Sequence, residues 1–192
     1  MENKLAEKKR WPPFCCVPAF IEQALAQCNV KIDDLRSFAH QLGVRVGAGE
    51  ENPWGLEVTE DPDARGLTAT SAADVVPRWF SVHCPLLGFR HIRFDMVTLH
   101  LYDCLLSEMF ANDCVVGVGF DYPWLLGRVT SSRHVSRILR ADEHFVVLTD
   151  DSGYAEFTEK EVSWDKMEAA VHRVNDGFWV VGAISHLKSK FG

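Results

Sequence analysis

Three residues of this chain have the types and positions to do chemistry together: Cys16, His134 and Asp150. Cys16 stands just ahead of Pro18 and a run of apolar residues at helical spacing. His134 opens a stretch of strand character, and Asp150 closes the next one. A thiol nucleophile, an imidazole to move protons and a carboxylate to orient the imidazole form the set that covalent acyl chemistry requires. A cysteine in the first turn of a helix also meets the positive end of the helix dipole and unpaired amide hydrogens, both of which favour the thiolate. Cys15 is adjacent, but one residue turns a side chain by about 100° around a helix, so the two cysteines cannot share one role. Cys15 is the reserve.

The elements that must carry these groups can be read coarsely. Trp11, Pro12 and Pro13 stop any earlier helix, which leaves residues 1–13 as an N-terminal tail. Pro18 suits the first turn of a new helix, where its missing amide hydrogen is not needed. Phe20, Ile21, Ala24, Leu25 and Cys28 then recur at helical spacing, so a helix of about ten residues begins near Cys16. Ile32, Leu35, Phe38, Ala39 and Leu42 predict a second helix, with Asp33 and Asp34 in its first turn and Gly43 as its stop. Over 46–95 the pattern dissolves into glycine, proline and acidic residues, and reads as an irregular insertion or a lid. Met96, Leu99, Tyr102, Leu106, Met109 and Phe110 restore a helical stripe.

The second half turns to strands. Residues 114–120 form an apolar run bounded by Asp121 and Pro123, as in a buried strand. Its Gly117-Val118-Gly119 lacks the spacing and the following lysine of a phosphate loop. Residues 134–140 and 144–149 flank a polar turn at Ala141, Asp142 and Glu143 and predict a hairpin. Antiparallel pairing brings the two ends of that hairpin together, and so His134 to Asp150. Asp151 points to the other face and is the reserve carboxylate. A helix near 161–172 and a strand at 178–184 complete an α+β domain, with an N-terminal helical part packed on a C-terminal antiparallel sheet.

Composition narrows the partners. The chain has 192 residues, of which 47% are apolar and 24% charged, an ordinary mix for one domain. A net charge of -7 and a pI near 5.6 argue against a nucleic-acid partner, which needs a basic face. Lys8, Lys9 and Arg10 read as a solvated basic stretch of the tail. The first ten residues hold no apolar core of a secretory signal, and no apolar run approaches the roughly 18 residues of a membrane span. A cytoplasmic location is expected, with the six cysteines reduced. His83, Cys84 and His91 lack a second half-site for zinc, so neither metal nor cofactor is expected.

The order Cys16-Val17-Pro18-Ala19, an apolar strand at 114–120, His134-Val135 opening a strand and Asp150-Asp151-Ser152-Gly153 closing its neighbour resembles the peptidase C39-like group of papain-like cysteine enzymes. The resemblance covers residues 14–45 and 96–184. That group shows Cys-Gly-Pro-Ala at the helix start, a histidine followed by an apolar strand, and Asp-Pro-x-Gly after the next strand. The resemblance implies a papain-like fold, a Cys16–His134–Asp150 triad and an acyl-enzyme intermediate. The substrate it implies is a peptide, an amide or an acyl thioester, carrier-protein-bound acyl groups included. Hydrolysis would make the enzyme a peptidase or amidase, and aminolysis an acyltransferase like the butirosin-type relatives. Val17 replaces the family's glycine and Asp151 its proline, and the glutamine that supplies an oxyanion donor upstream of the nucleophile is missing. Losing such a donor costs about 2.7–4 kcal/mol of transition-state stabilisation. Arg10 and the Cys16 backbone amide are the replacement candidates. Trp11, Phe14 and Trp124 are the aromatic candidates for lining an acyl pocket. The competing readings are a papain-like binding module without catalysis and a metal protein.

Overall fold

The computed structural model describes residues 11–12, 14–94, 102–153 and 155–191. Its helices are α1 (Cys16–Gln27), α2 (Leu35–Gln41), α3 (Ala69–His83), α4 (Tyr102–Ala111), α5 (Tyr122–Leu125), α6 (Trp164–Val174) and α7 (Ile184–Phe191). Its strands are β1 (Arg45–Gly47), β2 (Glu57–Thr59), β3 (Leu87–Arg93), β4 (Val115–Asp121), β5 (Arg133–Ala141), β6 (Phe145–Thr149), β7 (Glu159–Ser163) and β8 (Gly177–Ala183). Strands β1 and β2 pair in parallel as a small separate ribbon. The main sheet has six strands in the order β3-β8-β4-β5-β6-β7, and every neighbouring pair is antiparallel. The architecture is α+β.

Helix α1 begins at Cys16, where the spacing of its apolar residues puts it. In α2, Asp34 is the cap, its carboxylate accepting from the Ser37 amide at 3.0 Å. Asp33 lies one residue outside and pairs at the surface with Lys31. Gly43, at φ +69°, takes the left-handed turn that ends the segment. The hairpin β5–β6 forms as expected. In α4, Met96 and Leu99 of the anticipated stripe lie outside the described residues.

The stretch 46–95 departs from the reading as an irregular insertion or lid. It supplies α3 and also β3, an edge strand of the main sheet hydrogen-bonded along β8. Pro77 looks like punctuation in the sequence, yet it sits inside α3. The helical signal was there in Ala72, Val76 and Phe80, four residues apart and all buried, behind a Thr68 cap that accepts from the Ser71 amide at 3.2 Å. Strand β7 and helix α7 were not expected either. Each buries a single apolar side chain, Val162 and Leu187, so neither leaves a periodic mark.

The helices cover both faces of the sheet, rather than one N-terminal layer covering one face. Val115, Val135, Trp179 and Val181 join the core beneath α1, α2 and α3. Val116, Val118, Phe120, Ile138, Phe178 and Val180 join a second core beneath α4 and α6. The physical reason is strand β4, buried at every position, which demands cover on both sides.

The glycines of β4 set how closely other groups approach it. A Cβ on Gly117 would stand 3.0 Å from the Phe20 ring of α1, so its absence lets α1 settle on the sheet. A Cβ on Gly119 would fall inside the carboxylate of Asp176, which is itself held by Trp179 Nε1 at 2.9 Å and the Gly177 amide at 2.8 Å. Gly119→Ala is therefore expected to destabilise the fold by about 1–3 kcal/mol through overpacking, seen as a lower urea midpoint with an unchanged m-value. Among the described residues no helix is long and apolar enough to cross a membrane.

Candidate active site

The hairpin delivers the expected contact. In register, Arg137 faces Thr149, which sets Asp150 diagonally across from His134. His134 Nε2 lies 3.1 Å from Asp150 Oδ1, with both residues buried. Asp150 is locked in turn: its carboxylate accepts from Ser152 Oγ at 2.8 Å, the Ser152 amide at 3.3 Å and the Ala155 amide at 2.9 Å. A carboxylate so fully engaged orients the imidazole without freedom to turn away. The His134 ring is further walled by Tyr122, centroid 5.2 Å away, and by the edge contact of Phe120 at 5.9 Å.

The second partner of the ring is Cys16. Burial works against a charge on His134, but the hydrogen bond it donates to Asp150, then hydrogen bonding and charge from the Cys16 side chain, outweigh it and push the imidazole up to about 9. Asp150 moves the other way. Burial opposes its ionisation, yet His134, the Ala155 amide and Ser152 together hold it far below the usual carboxylate range. With Nε2 on Asp150, the ring nitrogen left for the sulfur is Nδ1. Imidazole and thiol line one cavity, with the carboxylate behind the ring.

Cys16 is the first residue of α1, and no side chain caps that helix. The first-turn amides of Cys16 and Val17 have no intrahelical acceptor, and Pro18 brings none. They stand in the same first turn as the sulfur. Phe14, two residues before Cys16, takes the left-handed conformation at φ +67° and turns the chain into the helix. Its carbonyl would sit 3.1 Å from a Cβ on Gly66, so that glycine admits the turn. Cys16, His134, Phe14, Tyr122, Arg133 and Ser152 line a cavity of about 220 Å³.

The remaining expected residues fall as follows. Cys15 caps α1 with its sulfur buried at 1% exposure, and burial followed by the charge of Cys16 pushes its thiol far up. Asp151 points away from His134 and takes a two-pronged ion pair with Arg137, Nε to Oδ2 at 3.0 Å and Nη2 to Oδ1 at 3.0 Å. Its carboxyl is nonetheless pushed up, because burial outweighs Arg137. Phe14 lines the cavity. Trp11 does not: it is a core residue at 2% exposure, its ring 5.4 Å from that of Trp54. Trp124 carries the guanidinium of Arg173 on its face at 5.5 Å instead of lining the cavity. Arg10 lies outside the described residues. His83 stacks on Trp79 and His91 bonds Asp176, and among the described residues no cluster of His, Cys, Asp or Glu forms a metal-binding group.

Sequence reasoning missed the residues that complete the site. Tyr122 opens α5, Ser132 ends the loop that follows it and Arg133 opens β5, all in a connection that Asp121 organises. Its buried carboxylate accepts from Ser131 Oγ at 2.8 Å, Arg173 Nε at 2.9 Å, the Ser132 amide at 3.3 Å and the Trp124 amide at 3.4 Å. Burial opposes ionisation there, but these donors hold the carboxyl below its ordinary value. The signal was Asp121 two residues before Pro123, a helix-start pattern that fixes the loop leading to His134. No protein-family model matches this chain, and no curated protein matches it at a significant level.

Proposed function

We propose that the protein is a cysteine-nucleophile enzyme of papain-like, peptidase C39-like type, acting on an amide or thioester. The observation that carries the reading is the meeting of Asp150, His134 and Cys16 at the wall of one cavity, where the carboxylate and the thiol side chain both favour a charged imidazole. In the first half-reaction the Cys16 thiolate attacks the acyl carbon. A C–S bond forms and the carbonyl electron pair moves to oxygen, to which the first-turn amides of α1 can donate hydrogen bonds. His134 then gives its proton to the departing amine or thiol as the C–N or C–S bond to the leaving group breaks. In the second half, water or an amine attacks the acyl-enzyme, His134 takes its proton, and the sulfur leaves as thiolate. Water gives hydrolysis and an amine gives acyl transfer.

The test is selective alkylation. All six cysteines are free. Cys15 is buried, and burial also pushes up the thiols of Cys28, Cys84 and Cys114, which leaves exposed Cys104 as the competitor. In a Cys104→Ser background, iodoacetamide at pH 6 is expected to modify Cys16 about tenfold or more faster than any other cysteine, by peptide mass mapping. His134→Ala should abolish that preference. Uniform slow labelling would leave a binding module as the better reading.

A further inference from the structure

The cavity at Cys16 adjoins a second and larger one of about 580 Å³, and Phe14, Ser132 and Arg133 line both. The larger wall holds three arginines, Arg65, Arg133 and Arg173, against one carboxylate, Asp63. Two of these arginines are fixed from behind. Arg173 Nε donates to Asp121 at 2.9 Å, and Arg133 Nε lies 3.5 Å from Asp176 while its Nη2 donates to the Val174 carbonyl at 2.9 Å. Both carboxylates have 0% side-chain exposure, whereas Arg133 and Arg173 keep 37% and 42% of theirs. Arg65 is held more loosely, 3.7 Å from Glu50.

The buried carboxylates cancel much of the arginines' net charge, so this wall is not a general attractor of anions. Directed donors remain. A guanidinium bound through its Nε edge still offers terminal N–H groups, in a planar fork that matches the oxygens of a carboxylate or phosphate. Holding that fork in advance removes much of the ordering cost a ligand would otherwise meet. Lysines, or arginines free in solution, would not give this geometry.

We propose that the larger cavity binds an oxyanion of the substrate, a carboxylate or a phosphate, on Arg133 and Arg173 with Arg65 on the same wall, while the acyl carbonyl rests at Cys16. This rests on the nucleophile reading above and adds a substrate class to it: acyl compounds with an anionic group on one side of the reacting carbonyl.

Three matched chloroacetyl probes test it in the Cys104→Ser protein: one ending in a carboxylate, one in a phosphate and one in a neutral carboxamide. At least one anionic probe is expected to alkylate Cys16 about tenfold faster than the neutral one, and which one wins identifies the oxyanion. In Arg173→Gln and in Arg65→Gln the ratio of anionic to neutral rates should fall to about twofold or less. His134 also attracts anions, but it is the same in every variant, so the loss reports the arginines. If Arg173→Gln fails to fold because it strands buried Asp121, Arg65→Gln carries the test, since it releases only half-exposed Glu50. Equal rates for all probes in the parent protein, or an advantage that survives both substitutions, overturns the anion site while leaving Cys16 reactive. A Cys16 that no probe labels overturns the nucleophile reading, and the anion site with it.

Discussion

Cys16→Ala is expected to lower turnover of an activated amide or thioester by about 10⁶-fold, to the level of the reaction in buffer plus whatever binding alone contributes. The size follows from the chemistry being covalent. Without sulfur there is no acyl-enzyme, and His134 has no leaving group departing from a sulfur adduct to protonate. Cys15 cannot substitute, although it is one residue away. Its sulfur is buried at 1% exposure and its thiol is pushed far up, by burial first and by the neighbouring charge second. The measurement is steady-state turnover together with intact-protein mass after mixing with substrate. The parent protein should gain the mass of one acyl group, and the variant none. Turnover retained within about tenfold in Cys16→Ala would sink the mechanism, because no general acid–base scheme without the sulfur loses so little.

How much of this site could be read in advance depends on how local each cause is. Cys16 at a helix start follows from Pro18 and the spacing of Phe20, Ile21, Ala24 and Leu25, all within one element. The meeting of His134 and Asp150 follows from one hairpin and its turn. Both are short-range facts. What the sequence hid is the packing between elements far apart in the chain. Arg65 comes from a turn after β2, Arg133 from the start of β5 and Arg173 from the end of α6, and only the three-dimensional fold gathers them on one wall. Trp11 shows the opposite error. A tryptophan five residues from the nucleophile suggested a pocket, but its ring area is better satisfied against Trp54 in the core. In the middle of the chain, proline and glycine masked α3 and β3, since a few punctuating residues outweigh a periodic stripe of only three buried positions.

The Asp150→Asn variant tests the orienting half of the chain. Asparagine keeps the shape and part of the hydrogen bonding but removes the charge that His134 leans on, and it can offer its amide N–H where the ring also needs to donate. Activity is expected to fall by about 10⁴-fold, the loss seen when an orienting aspartate in a hydrolytic triad is changed in the same way. The same substitution has a signature in stability. A histidine raised from 6.5 to about 9 on folding stabilises the native state fully below pH 6.5, and that contribution disappears as pH climbs through about 9. The depressed carboxyl of Asp150 contributes above its ordinary value near 3.8 and loses that contribution as pH falls through its lower folded value. The two conditions overlap between about pH 4 and 6.5, so the stability gap between parent and variant should be widest there, about 1–3 kcal/mol. The gap should close towards pH 9. Urea unfolding at pH 5.5, 7.5 and 9 measures the trend directly. A gap that widens with rising pH would mean that His134 is neutral beside Asp150, and the protonated imidazole on which the first half-reaction depends would be lost with it.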